Sequence, residues 1–176
     1  MKKNIVLFVL FILPIVAYLF FASGVNNFAK LPTVTANIPD LGNWKTTKGE
    51  QLSLDEKITV IAFPGTEILY NKGDAFNLNQ KIYNKVRDFK DFQLVMIAPI
   101  GTESQTETLK EQLASISDLS KWHYVFAKPE EIQSYYNKLN LIGQLDKNLR
   151  TPNVFIVDKK RNLRGRKGKN KKGEAE

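Results

Sequence analysis

The fold of this 176-residue chain is decided by the stretch Ile58–Gly65, which reads ITVIAFPG. Its first six residues are all β-branched or apolar, the pattern of a strand buried on both faces of a sheet, and the Pro-Gly pair ends the run. Similar runs follow at Phe92–Pro99, Trp122–Phe126 and Val154–Asp158. The sequence therefore predicts a sheet built around four buried strands.

A helical pattern lies in each of the first two gaps between these strands, and another follows the third strand. Asp74–Phe89 repeats apolar residues at helical spacing, and Ser104–Glu107 has the form of a capping box ahead of an apolar helical face. Lys128–Glu131 opens the third helix with a proline in its first turn. Strands that alternate with single helices indicate an α/β fold, with a mostly parallel central sheet and flanking helices.

Two short hairpins are predicted at the ends of this pattern. Leu41–Leu54 contains two short extended segments around Lys48-Gly49, where glycine supplies the backbone conformation of a tight turn. Lys159–Asn162 turns the fourth strand into a last one at about Leu163–Gly165. The second hairpin adds an antiparallel edge to the sheet.

The N-terminal segment predicts export. Lys2 and Lys3 precede an apolar core, Ile5–Ala22, whose eighteen residues span roughly 27 Å as a helix. That length favours a single-pass transmembrane helix that binds the protein to a membrane, with the N-terminus cytoplasmic and the domain on the extracytoplasmic, periplasmic side. The alternative is a signal peptide cleaved at Ala22-Ser23-Gly24, which would make the protein secreted.

Composition divides the chain into four parts and excludes several kinds of chemistry. These parts are an anchor or signal segment (1–24), a linker (25–40), one domain (41–166) and a basic polar tail (167–176). The chain contains no cysteine and one histidine, His123, so disulfides, thiol chemistry and multi-histidine metal sites are excluded. His123 lies in an alternating strand and is interpreted as an ordinary strand residue, so no metal or cofactor is predicted.

The formal charge of +8 is concentrated at the C-terminal end. Met1–Asp158 holds 17 basic and 16 acidic residues, whereas Lys159–Glu176 holds nine basic and two acidic ones. No nucleic-acid-binding motif accompanies this charge, and no nucleic-acid partner is predicted. The tail is interpreted as a solvated polar segment, with electrostatic binding to a membrane surface as the alternative.

Two stretches carry a resemblance to known families. Trp44–Phe63, a turned hairpin that leads into a buried strand, resembles the start of exported thioredoxin-like proteins. Thr151–Asp158, with its following turn and Arg164-Gly165, is similar to the closing hairpin of the Sco/SenC copper-chaperone family. The resemblance covers most of residues 40–166 and implies a thioredoxin-like fold. Such domains usually end with a helix, which is apparently missing here, so we expect a partly bare sheet face or a truncated chain.

The resemblance also locates a site that has lost its chemistry. In the Sco/SenC family a Cys-x-x-x-Cys loop follows the first buried strand and a histidine precedes the late strand, and these side chains bind copper. By position, the cysteines would fall near Thr66 and Tyr70, and the histidine near Arg150. A hydroxyl, a phenol and a guanidinium do not replace the soft ligands that Cu(I) requires. The resemblance therefore implies a degenerate member of the family, with the scaffold and without the ligands.

Pro152 is the one feature of the site region that is retained. The resemblance implies a cis proline before the late strand, whereas base rates for X-Pro bonds favour a trans proline that starts a strand. We expect Thr66, Tyr70, Arg150 and Pro152 to line a remnant groove. Tyr70 has the alternative of an ordinary packing role with a hydrogen-bonded hydroxyl.

These observations lead to one main functional hypothesis and two alternatives. The main hypothesis is a membrane-anchored extracytoplasmic thioredoxin-like protein, not an enzyme, that binds another protein in an assembly or accessory role. The first alternative is a cysteine-free exported enzyme that uses carboxylates or tyrosine, for which the sequence offers no nucleophile-base pair. The second is a membrane-surface binding module that acts through the basic tail.

Overall fold

The computed structural model describes residues 2–22 and 31–165. The chain divides into two compact units, Met1–Lys30 and Leu31–Glu176, which are described separately below. Four predictions fall wholly or partly on residues outside these ranges. They are the cleavage site at Ala22-Ser23-Gly24, the N-terminal part of the linker, the basic tail and the missing C-terminal helix.

The first unit contains one helix, α1, Lys2–Ala22, with Pro14 inside it. Across residues 2–22 and 31–165, no helix is both long enough and apolar enough to cross a bilayer. The predicted N-terminal transmembrane helix is therefore wrong.

The described part of the second unit forms a six-stranded sheet and a set of helices. The strands are β1 Thr33–Thr35, β2 Ile58–Pro64, β3 Phe92–Pro99, β4 Trp122–Ala127, β5 Arg150–Val157 and β6 Leu163–Arg164. The helices are α2 Lys72–Leu78, α3 Asn84–Val86, α4 Glu103–Ala114 and α5 Pro129–Lys138, and a π-helical segment, Asn79–Tyr83, joins α2 to α3.

The strand order is β1-β6-β5-β2-β3-β4. β2, β3 and β4 are parallel to one another, whereas β5 is antiparallel to β2, and β6 is antiparallel to both β5 and β1. The α/β thioredoxin-like prediction is confirmed, but the sheet is mixed rather than mostly parallel, because β5 joins β2 in the antiparallel direction.

Helices cover both faces of the sheet and create two cores. On one face, Phe63 of β2 contacts Tyr136 of α5 edge to face, with 5.2 Å between ring centroids. On the other face, Tyr83 of the π-helical segment packs against Trp122 of β4, also at 5.2 Å. Burying both faces of the central strands explains why their sequences are continuous apolar runs.

Two local predictions differ from the structure. The hairpin predicted over Leu41–Leu54 is reduced to a single antiparallel bridge between Lys45 and Gln51, and Lys45 also bridges Phe126 of β4. The helix predicted over Asp74–Phe89 is the α2, π and α3 series, which begins at Lys72 and ends at Val86. β1 was not predicted, because its three residues lie in the proline-containing stretch that was interpreted as a linker.

Candidate functional site

The predicted groove residues lie at one edge of the sheet because β2 and β5 are antiparallel. The end of β2 pairs with the start of β5, where Pro64 lies opposite Arg150. Thr66 and Tyr70 follow β2 in the loop that leads to α2, and Arg150 and Pro152 are the first and third residues of β5. The structure therefore brings these two short segments to the same edge of the sheet.

Gly65 allows the two segments to approach each other. Its φ of +75° is in the region that favours glycine, and a β-carbon there would lie 2.5 Å from the carbonyl oxygen of Asn148. The same β-carbon would lie 2.8 Å from the Cβ of Arg150. The next residue closes the contact, because the backbone N–H of Thr66 donates to the Asn148 carbonyl at 3.0 Å.

Side chains from outside the loop fix its conformation. Gln105 of α4 donates from Nε2 to the carbonyl of Thr66 at 3.0 Å and accepts at Oε1 from the N–H of Leu69 at 3.3 Å. Asn148 donates from Nδ2 to Oε2 of Glu67 at 3.0 Å. Sequence reasoning missed both residues as parts of the site. Gln105 lay inside the predicted capping box, which is not formed because α4 begins at Glu103 with Thr102 as its N-cap, and Asn148 carried no signal.

Arg150 anchors the start of β5 to α2. Its Nη2 lies 2.5 Å from Oδ2 of Asp74, in an ion pair that is partly exposed. Its backbone N–H donates to Oδ1 of Asp146 at 2.8 Å, and its carbonyl accepts from the N–H of Asp146 at 2.9 Å. Leu149 between them has a φ of +60°, an uncommon conformation for a branched residue. A tight, strained turn therefore positions Arg150.

Tyr70 is one of the two exposed residues among the four predicted ones, the other being Pro152. Its side chain is 86% exposed, whereas Tyr83, Tyr135 and Tyr136 are all buried. The packing role is therefore wrong for Tyr70. A large aromatic ring in solvent at the end of a hydrogen-bonded loop is available for contact with another molecule.

Pro152 is exposed and lies inside an extended strand. Within residues 2–22 and 31–165 no peptide bond is cis, so the expectation of a cis proline is wrong. The physical reason is that β5 begins at Arg150, four residues before the predicted start, so that Pro152 lies in a strand rather than in the turn that precedes one.

The residues at this edge do not fit copper. The guanidinium of Arg150 is bound to Asp74, and Thr66 and Tyr70 present a hydroxyl and a phenol in place of thiolates. In the described part of the chain, no group of three or more His, Asp or Glu side chains is arranged to hold a metal ion. His123 lies in β4, and burial lowers the pKa of its imidazole.

A cleft of about 260 Å³ lies beside the edge, between α2, the π-helical segment and β5. Its floor consists of buried apolar side chains: Ala62, Ile68, Leu78, Met96 and Leu109. Polar side chains surround its mouth: Asn71, Asp74, Asn77, Lys81, Thr151 and Asn153. Sequence reasoning did not find this cleft, because its wall residues come from separate elements whose apolar positions predict ordinary core packing.

Comparison with known proteins supports the fold. No protein-family model matches the chain, and no curated protein matches its sequence. BsSco, a member of the Sco family of cytochrome c oxidase assembly proteins, is 11% identical with a TM-score of 0.53, over 77% of this chain and 85% of BsSco. The resemblance to Sco proteins is thereby confirmed at the level of the fold.

Thiol-disulfide oxidoreductases share this fold as well. The thioredoxin domain of one from Bacteroides vulgatus is 17% identical with a TM-score of 0.54, over 78% of this chain and 89% of that domain. A thiol:disulfide interchange protein from a Bacteroides species is 17% identical with a TM-score of 0.53, over 76% of this chain and 79% of that protein. The chain therefore has a thioredoxin-like fold, and it contains no cysteine.

Proposed function

We propose that this chain is a non-catalytic thioredoxin-like protein that binds another protein at the edge formed by Thr66, Tyr70, Arg150 and Pro152. The observation that carries the proposal is the 86% exposure of Tyr70 at this edge. Tyrosine is enriched in protein interfaces and among the residues that contribute most to binding energy. The edge is thus suited to contact, and it lacks the thiols needed for exchange chemistry.

The rigidity of the loop supports the proposal. Gln105 holds the backbone on both sides of Glu67, at Thr66 and Leu69, and Asn148 binds the Glu67 side chain. A surface that is already ordered before binding loses less conformational entropy when a partner docks. Tyr70 follows this clamped stretch directly and is therefore presented from a preorganised backbone.

An assembly or accessory role outside the cytoplasm forms part of the proposal. The fold is that of BsSco, which belongs to a family of cytochrome c oxidase assembly proteins. Lys2 and Lys3 ahead of an apolar stretch are typical of an export signal. A protein without turnover performs such a role by holding or orienting its partner.

Site-specific photo-crosslinking in living cells tests the proposal. A photoreactive phenylalanine replaces Tyr70 in one variant of the full chain and Phe89 in the control. Phe89 is also an exposed aromatic residue, at 61%, but it precedes β3 and therefore lies toward the opposite edge of the parallel strands. We expect one discrete polypeptide adduct from position 70 and none from position 89. The same adducts from both positions, or none from position 70, would contradict the proposal.

A further inference from the structure

The cleft beside the edge has the size and lining of a site for one small apolar group. Its volume of about 260 Å³ lies just below the roughly 300–1,000 Å³ of most ligand sites. It is larger than the roughly 150 Å³ apolar cavity that is known to hold a benzene molecule. A single ring or a branched aliphatic chain therefore fills it, and a larger ligand does not.

The floor of the cleft favours hydrocarbon. Ile68 and Leu109 are at most 2% exposed, and Met96 is 5% exposed. They form a wall without charges between the sheet and the helices. Removal of apolar ligand surface from water is favourable. The inner part of the bound group is consequently apolar.

Charge at the mouth favours an anion. The carboxylate of Asp74 is already paired with Arg150, with 2.5 Å between Oδ2 and Nη2. Lys81 also lines the cleft and, among residues 2–22 and 31–165, takes part in no ion pair. Of the two charged side chains that line the cleft, Asp74 is neutralised by its pairing with Arg150, which leaves the positive charge of Lys81. The amide side chains of Asn71 and Asn77 add hydrogen-bond donors.

We propose that this cleft binds a compact apolar molecule with one carboxylate group. The hydrocarbon part lies on the floor around Ile68 and Met96, and the carboxylate lies at the mouth beside Lys81. Pro152 of the proposed protein-binding edge also lines the cleft, whereas Tyr70 does not, so binding in the cleft can be tested apart from the contact made by Tyr70.

Met96 provides a reporter for this site. The chain has two methionines, Met1 and Met96, so labelling the methionine methyl groups with ¹³C gives one signal from the floor of the cleft, assigned with Met96→Leu. The full chain is titrated with 3-phenylpropanoate and, separately, with its neutral amide. We expect both probes to shift the Met96 signal saturably, the carboxylate with the higher affinity.

Three variants test the location and the charge. Asn77→Trp obstructs the mouth, whereas Gln80→Trp places the same side chain at an exposed position outside the cleft on the same helical stretch. We expect the first to abolish the shift and the second to retain it. Lys81→Gln is expected to weaken carboxylate binding about two- to fivefold, as for an exposed ion pair, and to leave amide binding unchanged.

Each outcome supports or overturns the proposal. Absence of a saturable shift in the unmodified chain, or equal binding by Asn77→Trp and Gln80→Trp, would overturn the cleft as the site. Equal affinity for the carboxylate and the amide, with no effect of Lys81→Gln, would overturn the assignment of an anionic ligand. Neither result bears on crosslinking from position 70.

Discussion

The α-carbon of Gly65 lies so close to the carbonyl oxygen of Asn148 that a β-carbon would stand only 2.5 Å from that oxygen. Real β-carbons essentially never approach backbone oxygen so closely, and a backbone atom has little freedom to move aside. The close approach allows the loop after β2 to meet the turn before β5. The geometry of the whole edge therefore depends on the absence of a side chain at this position.

Gly65→Ala is expected to destabilise the domain more than Gly49→Ala. Both glycines have similar positive φ angles, +75° and +79°, but the β-carbon at Gly49 would have nothing within 4 Å. The conformational cost of alanine is therefore similar at both positions, and the difference in unfolding free energy between the two variants reports the steric overlap at Gly65. We expect an additional loss of about 1–3 kcal/mol in the free energy of unfolding for Gly65→Ala, measured by urea denaturation. Equal losses of unfolding free energy in the two variants would show that the loop after β2 and the turn before β5 can move apart without cost.

The Arg150–Asp74 ion pair is expected to contribute modestly to stability. The side chain of Asp74 is 53% exposed and that of Arg150 is 24% exposed, so solvent screens their attraction. In a double-mutant cycle with Arg150→Gln and Asp74→Asn, we expect a coupling energy of about 0.2–1 kcal/mol. The coupling should decrease with added salt. Absence of coupling at low ionic strength would mean that the pair does not hold β5 to α2.

Asp158 makes the stability of the domain depend on pH at the acid end. Burial alone would raise the pKa of this carboxyl above its usual 3.8, but hydrogen bonds from Asn162, Arg164 and Lys160 lower it to about 2. These donors include the N–H of Asn162 at 2.8 Å and Nη2 of Arg164 at 2.6 Å. The carboxylate form is thus stabilised by folding.

The sign of the pH dependence follows from this lowered pKa. The contribution of Asp158 is complete above the unfolded pKa near 3.8 and is lost as the pH falls toward about 2. We expect Asp158→Asn to be less stable than the unmodified chain at pH 7, and the difference to narrow below pH 4, in urea denaturation series. Asp88→Asn, at a side chain that is 93% exposed, is the control for a change of charge. A constant difference across this range would contradict the assignment.

Asn79 is expected to be a source of instability. Its side chain is completely buried at the start of the π-helical segment, and within the described part of the chain neither Oδ1 nor Nδ2 has a hydrogen-bond partner. Replacing a buried unpaired polar group by an apolar one of similar size removes a desolvation penalty of about 1–3 kcal/mol. We expect Asn79→Leu to raise the free energy of unfolding, and Asn84→Leu, at an exposed asparagine whose Oδ1 accepts from Ser117, not to do so. A loss of stability in Asn79→Leu would show that the amide has a structural role.

The central strands were predictable because burial on both faces leaves a strong sequence signal. β3 was predicted with its observed limits, Phe92–Pro99, and all eight of its residues are buried. β1 left no such signal, since it has only three residues. Its place as the outermost strand of the sheet depends on pairing with Arg164 and Leu163, far along the chain. The pairing of short strands with distant parts of the chain is not encoded in the local sequence pattern.

The meeting of the two segments that hold the predicted groove residues was predictable, but the contacts between them were not. The resemblance located Thr66, Tyr70, Arg150 and Pro152, and the pairing of β2 with β5 brings their segments together. The clamp by Gln105 was not predictable, because it depends on how α4 packs beside the loop. The conformation of Pro152 was inferred from the resemblance, and the actual strand limits overrode it.

The central claim is that the cysteine-free edge binds a protein through Tyr70. Its most direct test is the affinity of the full chain for the polypeptide crosslinked at position 70, measured with the unmodified chain, Tyr70→Ala and Phe89→Ala. Residues that dominate an interface cost about 2 kcal/mol or more when truncated, which corresponds to more than tenfold in affinity. We predict a loss of at least about tenfold for Tyr70→Ala and no change for Phe89→Ala. Equal affinity of the unmodified chain and Tyr70→Ala would contradict the account.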